Sequence, residues 1–553
     1  MGMGVPHPLL LLLLLGTNGL QAAAPEAPPP EHSRTQQEWL AAGKAIYLFG
    51  ELPDGGSISA RVRGDVPLSG SRYACVNCHR RSGIGSSEGG EPVPAIISEV
   101  LFAPRIATLH GSYPSGGMHR ETRPAYTTAS LGRVLTQGVD PAGRELSPLM
   151  PRFDFSDSEV LALSTYLASL TVTTPPGVDE HEIHFATITT PGNEAAREAM
   201  LNVLTAFFRD KNAGTRGETR RAENAPFHKA WVYGSYRRWK LHEWALHGPQ
   251  QEWSEQLQAL YAKQPVFAIV GGVGSGGWQP VHRFCEAQQL PCLMPHIPLP
   301  PTQADQDFYS LYFSRGVELE AETLARHLGD AANRPRRVIQ VRDERPAAVA
   351  AAQSLRHALS GTEAPALTEI VLQPGQIPDA GFWRGLAEKH GDAVWVLWLD
   401  AQRLEGLAAL AGSPTLPAAI YLSASLQPAL DVLQQHPLHQ RFILLTPYRA
   451  ADTDRRTLRF RTWAHLRKLP VSDLHLQSSS FLTVSLVGEA LMHLRGNLSR
   501  EYFLERIEHM MDNMINPSLY PRISLAPGQR FAAKGCYVWE MGKAFDTAQW
   551  IVP

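Results

Sequence analysis

The spacing of apolar positions changes character near residue 175. Before that point, helical faces are separated by long irregular stretches. Residues 37–49 place Trp39, Leu40, Ile46 and Tyr47 on one face, with Gly43 inside the run. A second helix is predicted over 130–136, ending at Gln137-Gly138. Ser156 and Glu159 form an N-cap and capping box for a third over 160–170, whose apolar face is Leu163, Tyr166, Leu167 and Leu170. Between them, Arg81-Ser-Gly-Ile-Gly-Ser-Ser-Glu-Gly-Gly90 reads as irregular backbone.

After the turn-forming Thr173-Thr-Pro-Pro-Gly177, short apolar runs alternate with amphipathic helices. Strands are predicted at 183–188, 266–270, 338–341, 394–398, 419–422 and 442–445, and helices at 194–208, 253–261, 278–287 and 347–359. That alternation implies α/β organisation with mostly parallel sheet. Residues 182–553 exceed one comfortable core, so two lobes are expected.

The chain has 553 residues, with 51 Lys and Arg against 53 Asp and Glu, a balance that points to no nucleic-acid partner. Residues 9–15 are all leucine, followed by Gly16-Thr-Asn-Gly19 and Gln21-Ala-Ala-Ala24. A short apolar core before an A-x-A-like site reads as a secretory signal over 1–24, although Lys and Arg are missing ahead of it. The run is too short for a membrane span. A Pro-rich linker, 25–35, follows, and the expected location is a bacterial periplasm.

Tyr73-Ala-Cys75-Val-Asn-Cys78-His79 carries the most specific chemistry in the chain. C-x-x-C-H is the attachment signature of a c-type haem. Two thiols on one turn form thioethers to the two vinyl groups, and the adjacent imidazole becomes the proximal iron ligand. A zinc site would need a second ligand pair, and Cys285, Cys292 and Cys536 lie far along the chain. A single motif argues against a diheme peroxidase. The rest of the chain shows no Ser-His-Asp motif and no H-E-x-x-H, so an electron carrier is expected rather than an enzyme.

With those residues in place, 36–172 resembles a class I cytochrome c, an all-α domain. The matching parts are the glycine-bearing first helix, Cys75-x-x-Cys78-His79, the turn Gly138-Val-Asp-Pro-Ala-Gly143, Met150-Pro151 and the closing helix. The resemblance implies that the first and last helices cross, Gly43 against Tyr166, and that Met150 is the distal ligand. Met118, His110 and His119 are the rivals, and Pro94 resembles the family's haem-packing proline. A thioether ligand raises the potential and closes the sixth position.

Beyond a linker at 173–181, residues 182–553 resemble a type I periplasmic binding protein of the branched-chain amino-acid receptor kind, on element order and on the placement of Gly271-Gly-Val-Gly-Ser-Gly-Gly277. The resemblance implies three hinge crossings, a first lobe over 182–312 and 450–525, and a second over 318–447. Candidate ligand-binding residues at strand ends are Ser275, Gly276, His296 and Asp400. The Gly271–Gly277 loop lacks G-x-G-x-x-G phasing and a P-loop Lys, which counts against a nucleotide site. Tyr421-Leu-Ser-Ala-Ser425 supplies serines where the amino-acid receptors have an acid. Cys285 and Cys292 bracket a helix end and a strand start, where an oxidising compartment allows a disulfide.

The expected function is one-electron transfer by a single haem c, between a periplasmic redox partner such as a dehydrogenase and a downstream carrier, fused to a small-molecule binding domain. The alternative is a solute receptor or sensor in which the haem is an accessory redox element.

Overall fold

Thr35 caps the first helix, Gln36–Phe49, through a reciprocal bond with Glu38, and Gly50 ends it in the left-handed region. A Cβ on Gly43 would lie 2.0 Å from the carbonyl oxygen of Ala162 and 2.8 Å from Cβ of Tyr166. The first helix therefore crosses the helix Asp157–Ser169 backbone against backbone at this glycine. Tyr47 and Tyr166 pack beside the crossing, ring centroids 5.2 Å apart. The helix Thr128–Gln137 ends at Gly138, as its sequence predicts.

The computed structural model describes residues 34–553 except 63–65, 89–90, 107–121, 225–236, 302–306, 361–363, 425–429, 450–454 and 495–496. The segment expected to be a secretory signal, 1–24, and the rival ligand candidates His110, Met118 and His119 lie outside the described residues. The chain forms two compact units, Met1–Ala74 with Ala107–Ala168, and Cys75–Ile106 with Ser169–Pro553. The C-x-x-C-H turn thus groups with the second unit rather than with the three helices.

The first unit is not all-α. Ser59–Val62 pairs antiparallel with Val66–Ser69 and with Arg152–Phe153. Ile58 and Ala60 are fully buried while Arg61 points outward, a two-residue alternation too short to stand out from the flanking turns. Within the second unit, Ser86–Glu88 pairs with Glu91–Val93 as a small hairpin.

The remainder of the second unit is built from two sheets. In the first lobe, Ser310–Leu311, Cys292–Leu293, Ala268–Val270, Glu182–Thr189 and Arg238–Ala245 lie side by side, all parallel. In chain order that is 2-1-3-4-5 read from the far edge, a doubly wound sheet. In the second lobe, Ala366–Val371, Arg337–Arg342, Val394–Trp398, Ile420–Ser423 and Phe442–Thr446 repeat the same order. Two antiparallel strands, Cys536–Glu540 and Gln549–Ile551, extend that second sheet. Val394–Trp398 is buried on both faces, as a continuous apolar run in a covered parallel sheet must be.

The chain passes between the lobes three times. It leaves the first lobe after Ser310–Leu311 for the helix Val317–Gly329, and returns after Thr446 to Leu458–Leu466, Leu474–Leu494 and Arg500–Met511. It then crosses again between Phe531 and Cys536. The amide of Ala533 donates to Phe313 (2.7 Å) and that of Tyr312 to Arg530 (2.8 Å), so the first and third crossings run together. Arg500 is buried, and its guanidinium donates to the carbonyls of Pro176, Val266 and Phe267, tying the linker to the first lobe. A buried cation surrounded by carbonyl acceptors keeps its donors satisfied.

Candidate functional site

In a doubly wound sheet, ligands bind outside the carboxyl ends of the strands, where the strand order reverses. In the first lobe that point lies between Glu182–Thr189 and Ala268–Val270. Gly272 has φ +133°, and a Cβ there would meet the Trp278 ring at 3.1 Å. The loop needs glycine because it lies flat on that indole. Asn193 Nδ2 reaches Thr190 Oγ1 (3.1 Å) and Ser275 Oγ (3.4 Å). Ser275 is exposed, and the Cβ position of Gly276 faces open space, so this part of the loop is open to solvent beyond the strand end.

His296 follows the next strand and is held in register by a bond from its amide to the Gly272 carbonyl (2.7 Å). Its ring lies edge to face with His475 at 5.9 Å and beside Phe313 at 5.4 Å. His475, in the first turn of Leu474–Leu494, stacks on Tyr448 with centroids 3.7 Å apart, and Tyr520 packs on both. Burial pushes the His296 and His475 imidazoles down to about 3, with mutual repulsion adding to the shift at His296. Both rings are therefore neutral at neutral pH. His475 Nε2 is enclosed and has no hydrogen-bond partner. His296 Nε2 has Ser480 Oγ at 3.4 Å.

The corresponding edge of the second lobe is built from ions. Asp400 caps Ala401–Leu404 through the amide of Arg403 and pairs with the Arg403 guanidinium at 2.5 Å. Arg345 reaches Asp400 at 3.4 Å and Asp343 at 2.7 Å, and Arg403 Nε lies 3.5 Å from Asp343. Asp400 thus stands at the switch point, as its sequence position predicts, but inside a ring of two acids and two arginines. It does not present a lone carboxylate to a ligand amine. Ser423, at the end of Ile420–Ser423, donates to the carboxylate of Glu320, a fully buried acid on Val317–Gly329. An acid therefore stands beside this strand end, but it comes from a helix.

Sequence reasoning placed Ser275, Gly276, His296 and Asp400 at strand ends and missed Asp343, Arg345, Arg403, Glu320, Tyr448, His475 and Tyr520. The arginines and acids at 343–345 and 400–403 were visible as strand-end charges. The Tyr448, His475 and Tyr520 cluster gave no local signal, because its members come from three separate segments.

Cys75 and Cys78 lie on either side of the start of the short helix Val76–His79, and neither is in a disulfide. His79 is buried, its amide donates to Cys75 (2.9 Å), and its Nδ1 lies 3.0 Å from the Pro94 carbonyl. That carbonyl can only accept, so Nδ1 carries the proton and Nε2 keeps its lone pair for a metal. Burial lowers the His79 pKa and pushes the Cys75 thiol up to about 12. A neutral imidazole oriented through its other nitrogen and two unbridged thiols on one turn fit covalent haem attachment. Met150 lies in the turn after Ser147, and its carbonyl accepts from Arg152. Cys285 and Cys292 are joined, with Cα atoms 6.3 Å apart.

The chain matches no family model and no curated protein. Among solved structures it is similar to a fatty acid ABC transporter substrate-binding protein from Thermomonospora curvata, with 16% identity over 69% of this chain and 94% of that one, TM-score 0.46. It is also similar to a leucine-binding protein, LivK, from Thermotoga maritima, with 12% identity over 67% and 98%, TM-score 0.47. A branched-chain amino acid ABC transporter structure from Thermus thermophilus with bound valine gives 11% identity over 68% and 96%, TM-score 0.48. At such scores these likenesses decide neither ligand nor mechanism. The two-lobed α/β architecture rests on the repeated strand order itself. No helix among the described residues is long and apolar enough to cross a membrane.

Proposed function

We propose that this chain is a periplasmic solute receptor of the type I binding-protein kind, carrying one haem c as a redox element. The observation that supports it most directly is the twice-repeated 2-1-3-4-5 sheet with polar side chains gathered at both switch points. The first lobe offers uncharged groups, the Ser275 hydroxyl, the amides of Gly276 and Gly277 and the stacked His475 and Tyr448. These suit a small organic solute with one anionic group and an apolar or planar body. The ion ring of the second lobe is self-neutralised and supplies a rigid wall with residual arginine donors.

Isothermal titration of the purified protein with small carboxylic acids and amino acids tests this reading. Saturable binding that Ser275→Ala and His296→Ala each weaken about tenfold is expected, the size of one lost charge-assisted hydrogen bond. Failure of the folded protein to bind any small solute would set the receptor reading aside.

The second reading, electron transfer, is favoured by the orientation of His79. Cys75 and Cys78 would hold the haem, His79 and Met150 would ligate the iron, and the group supplies reversible one-electron chemistry. The chain's own part is to fix the imidazole through Pro94 and to exclude water from it. Reduced-minus-oxidised spectra with and without carbon monoxide test it. A closed haem ignores carbon monoxide, and Met150→Ala opens it. A wild-type haem that binds carbon monoxide would remove Met150 as ligand.

A further inference from the structure

The turn that carries Cys78 and His79 continues into Arg80-Arg-Ser82, and this stretch is bound to the first lobe of the binding unit. The Ser82 amide donates to Glu505 Oε1 (2.8 Å) and its hydroxyl to Glu505 Oε2 (2.5 Å). Arg81 lies over the ring of Phe308 at 4.5 Å, and the buried Arg530 approaches the same ring at 5.2 Å. The Phe308 amide is itself held by Glu286 (3.0 Å), next to the Cys285–Cys292 disulfide. Phe308 leads into Ser310–Leu311, the strand from which the chain crosses to the second lobe.

Three acids on the helix Arg500–Met511 face this region, and they are used differently. Glu501 accepts from the Tyr309 hydroxyl (2.6 Å) and Glu508 pairs with Arg530, so both serve the first lobe itself. Glu505 is satisfied by Ser82. On the other side, Ser82 is tied to the haem turn. Its Oγ accepts from the Ile84 amide (3.2 Å), the Gly85 amide donates to the His79 carbonyl (3.1 Å), and Ser86 Oγ donates to the Cys78 carbonyl (2.8 Å). A displacement of Ser82 is thus passed to His79 through a few short, satisfied bonds.

We propose that Glu505 is a positioning residue that latches the haem-bearing turn onto the first lobe, so that the state of the solute-binding unit and the potential of the haem are coupled. The redox half rests on the haem reading above, whereas the latch stands on the contacts alone. If solute binding changes the potential, oxidation changes solute affinity by the same factor.

The test uses the full chain with Glu505→Ala and Glu505→Gln, together with Ser82→Ala, which removes the hydroxyl bond to Glu505 and the acceptor of the Ile84 amide and leaves the helix untouched. Amide hydrogen exchange at residue 82 reads the latch with or without haem. An increase above about threefold in Glu505→Ala and Ser82→Ala, partly restored in Glu505→Gln, is expected, with exchange across Val394–Trp398 unchanged. A smaller increase overturns the latch. In the haem-loaded protein, the midpoint potential of Glu505→Ala is expected to differ from wild type while the iron–ligand spectrum is kept. An unchanged potential overturns the coupling. Absence of attached haem is a failure of the haem reading, and the exchange result still decides the latch.

Discussion

The two lobes have one strand order and two chemistries. At the switch point of the first lobe stand Thr190, Asn193, Ser275 and a neutral His296, with no charged side chain among them. At that of the second lobe stand Asp343, Arg345, Asp400 and Arg403, paired into a ring. The fold fixes where loops converge, and the loop residues alone decide what they bind. An uncharged edge remains free to donate hydrogen bonds to a solute, while a ring that satisfies itself mainly holds its loops in place. Under the proposed receptor reading, recognition falls to the first wall and rigidity to the second.

The strongest way to break that comparison is Asp343→Ala. The carboxylate is buried and shared by two guanidinium groups, and its loss leaves Asp400 as the one acid they still share. A loss of about 2 kcal/mol in urea unfolding is expected, because the buried carboxylate accepts charge-assisted bonds from the Arg345 amide and guanidinium that nothing replaces. A change under about 1 kcal/mol would show that the ring does not lock the second wall.

Acid reads the first wall. His296 and His475 titrate near 3 when folded and near 6.5 when exposed, so the unfolded chain takes up more protons below pH 6.5. Their contribution is whole above pH 6.5 and falls as pH drops from there towards 3. Thermal unfolding should show that loss, and His475→Phe should flatten it. Equal slopes in both proteins would mean that His475 is not held neutral.

A smaller effect of opposite sign belongs to the turn at Ser82. Burial pushes Glu505 up to about 8 from 4.5, opposed by the bonds from Ser82 and reinforced by Glu508 and Glu501. Its contribution is present below pH 4.5 and is lost as pH rises through about 8. Glu505→Gln should remove that part of the alkaline decline, and an identical decline would exclude Glu505 as its source. The smallest expected effect is on fold stability in Ser275→Ala, within about 0.5 kcal/mol of wild type for an exposed serine. A larger loss would make Ser275 part of the wall's structure rather than of its recognition surface.

The sequence was legible where periodicity and burial coincide. Val394–Trp398 and Phe442–Thr446 are central strands, and their apolar runs announced them. Arg238–Ala245 and Ala366–Val371 went unread because they are edge strands, with charged or half-exposed positions breaking the pattern. Cys536–Glu540 was hidden differently, since nothing local tells a late strand to return to the second sheet. Cys75-x-x-Cys78-His79 could be read because its chemistry lies within five residues. The partners of Asp400 and His296 could not, because Arg345, Tyr448 and His475 reach them only through space.

The return of Cys536–Glu540 has a consequence for biogenesis. Its partner strand, Phe442–Thr446, is made some ninety residues earlier and would wait with one edge open, its backbone donors and acceptors unpaired. A chain emerging amino end first holds the second lobe as an unfinished sheet while three helices of the first lobe are still being added. During that interval the open edge can pair with another chain. The last strand acts as a seal, and its arrival closes that interval.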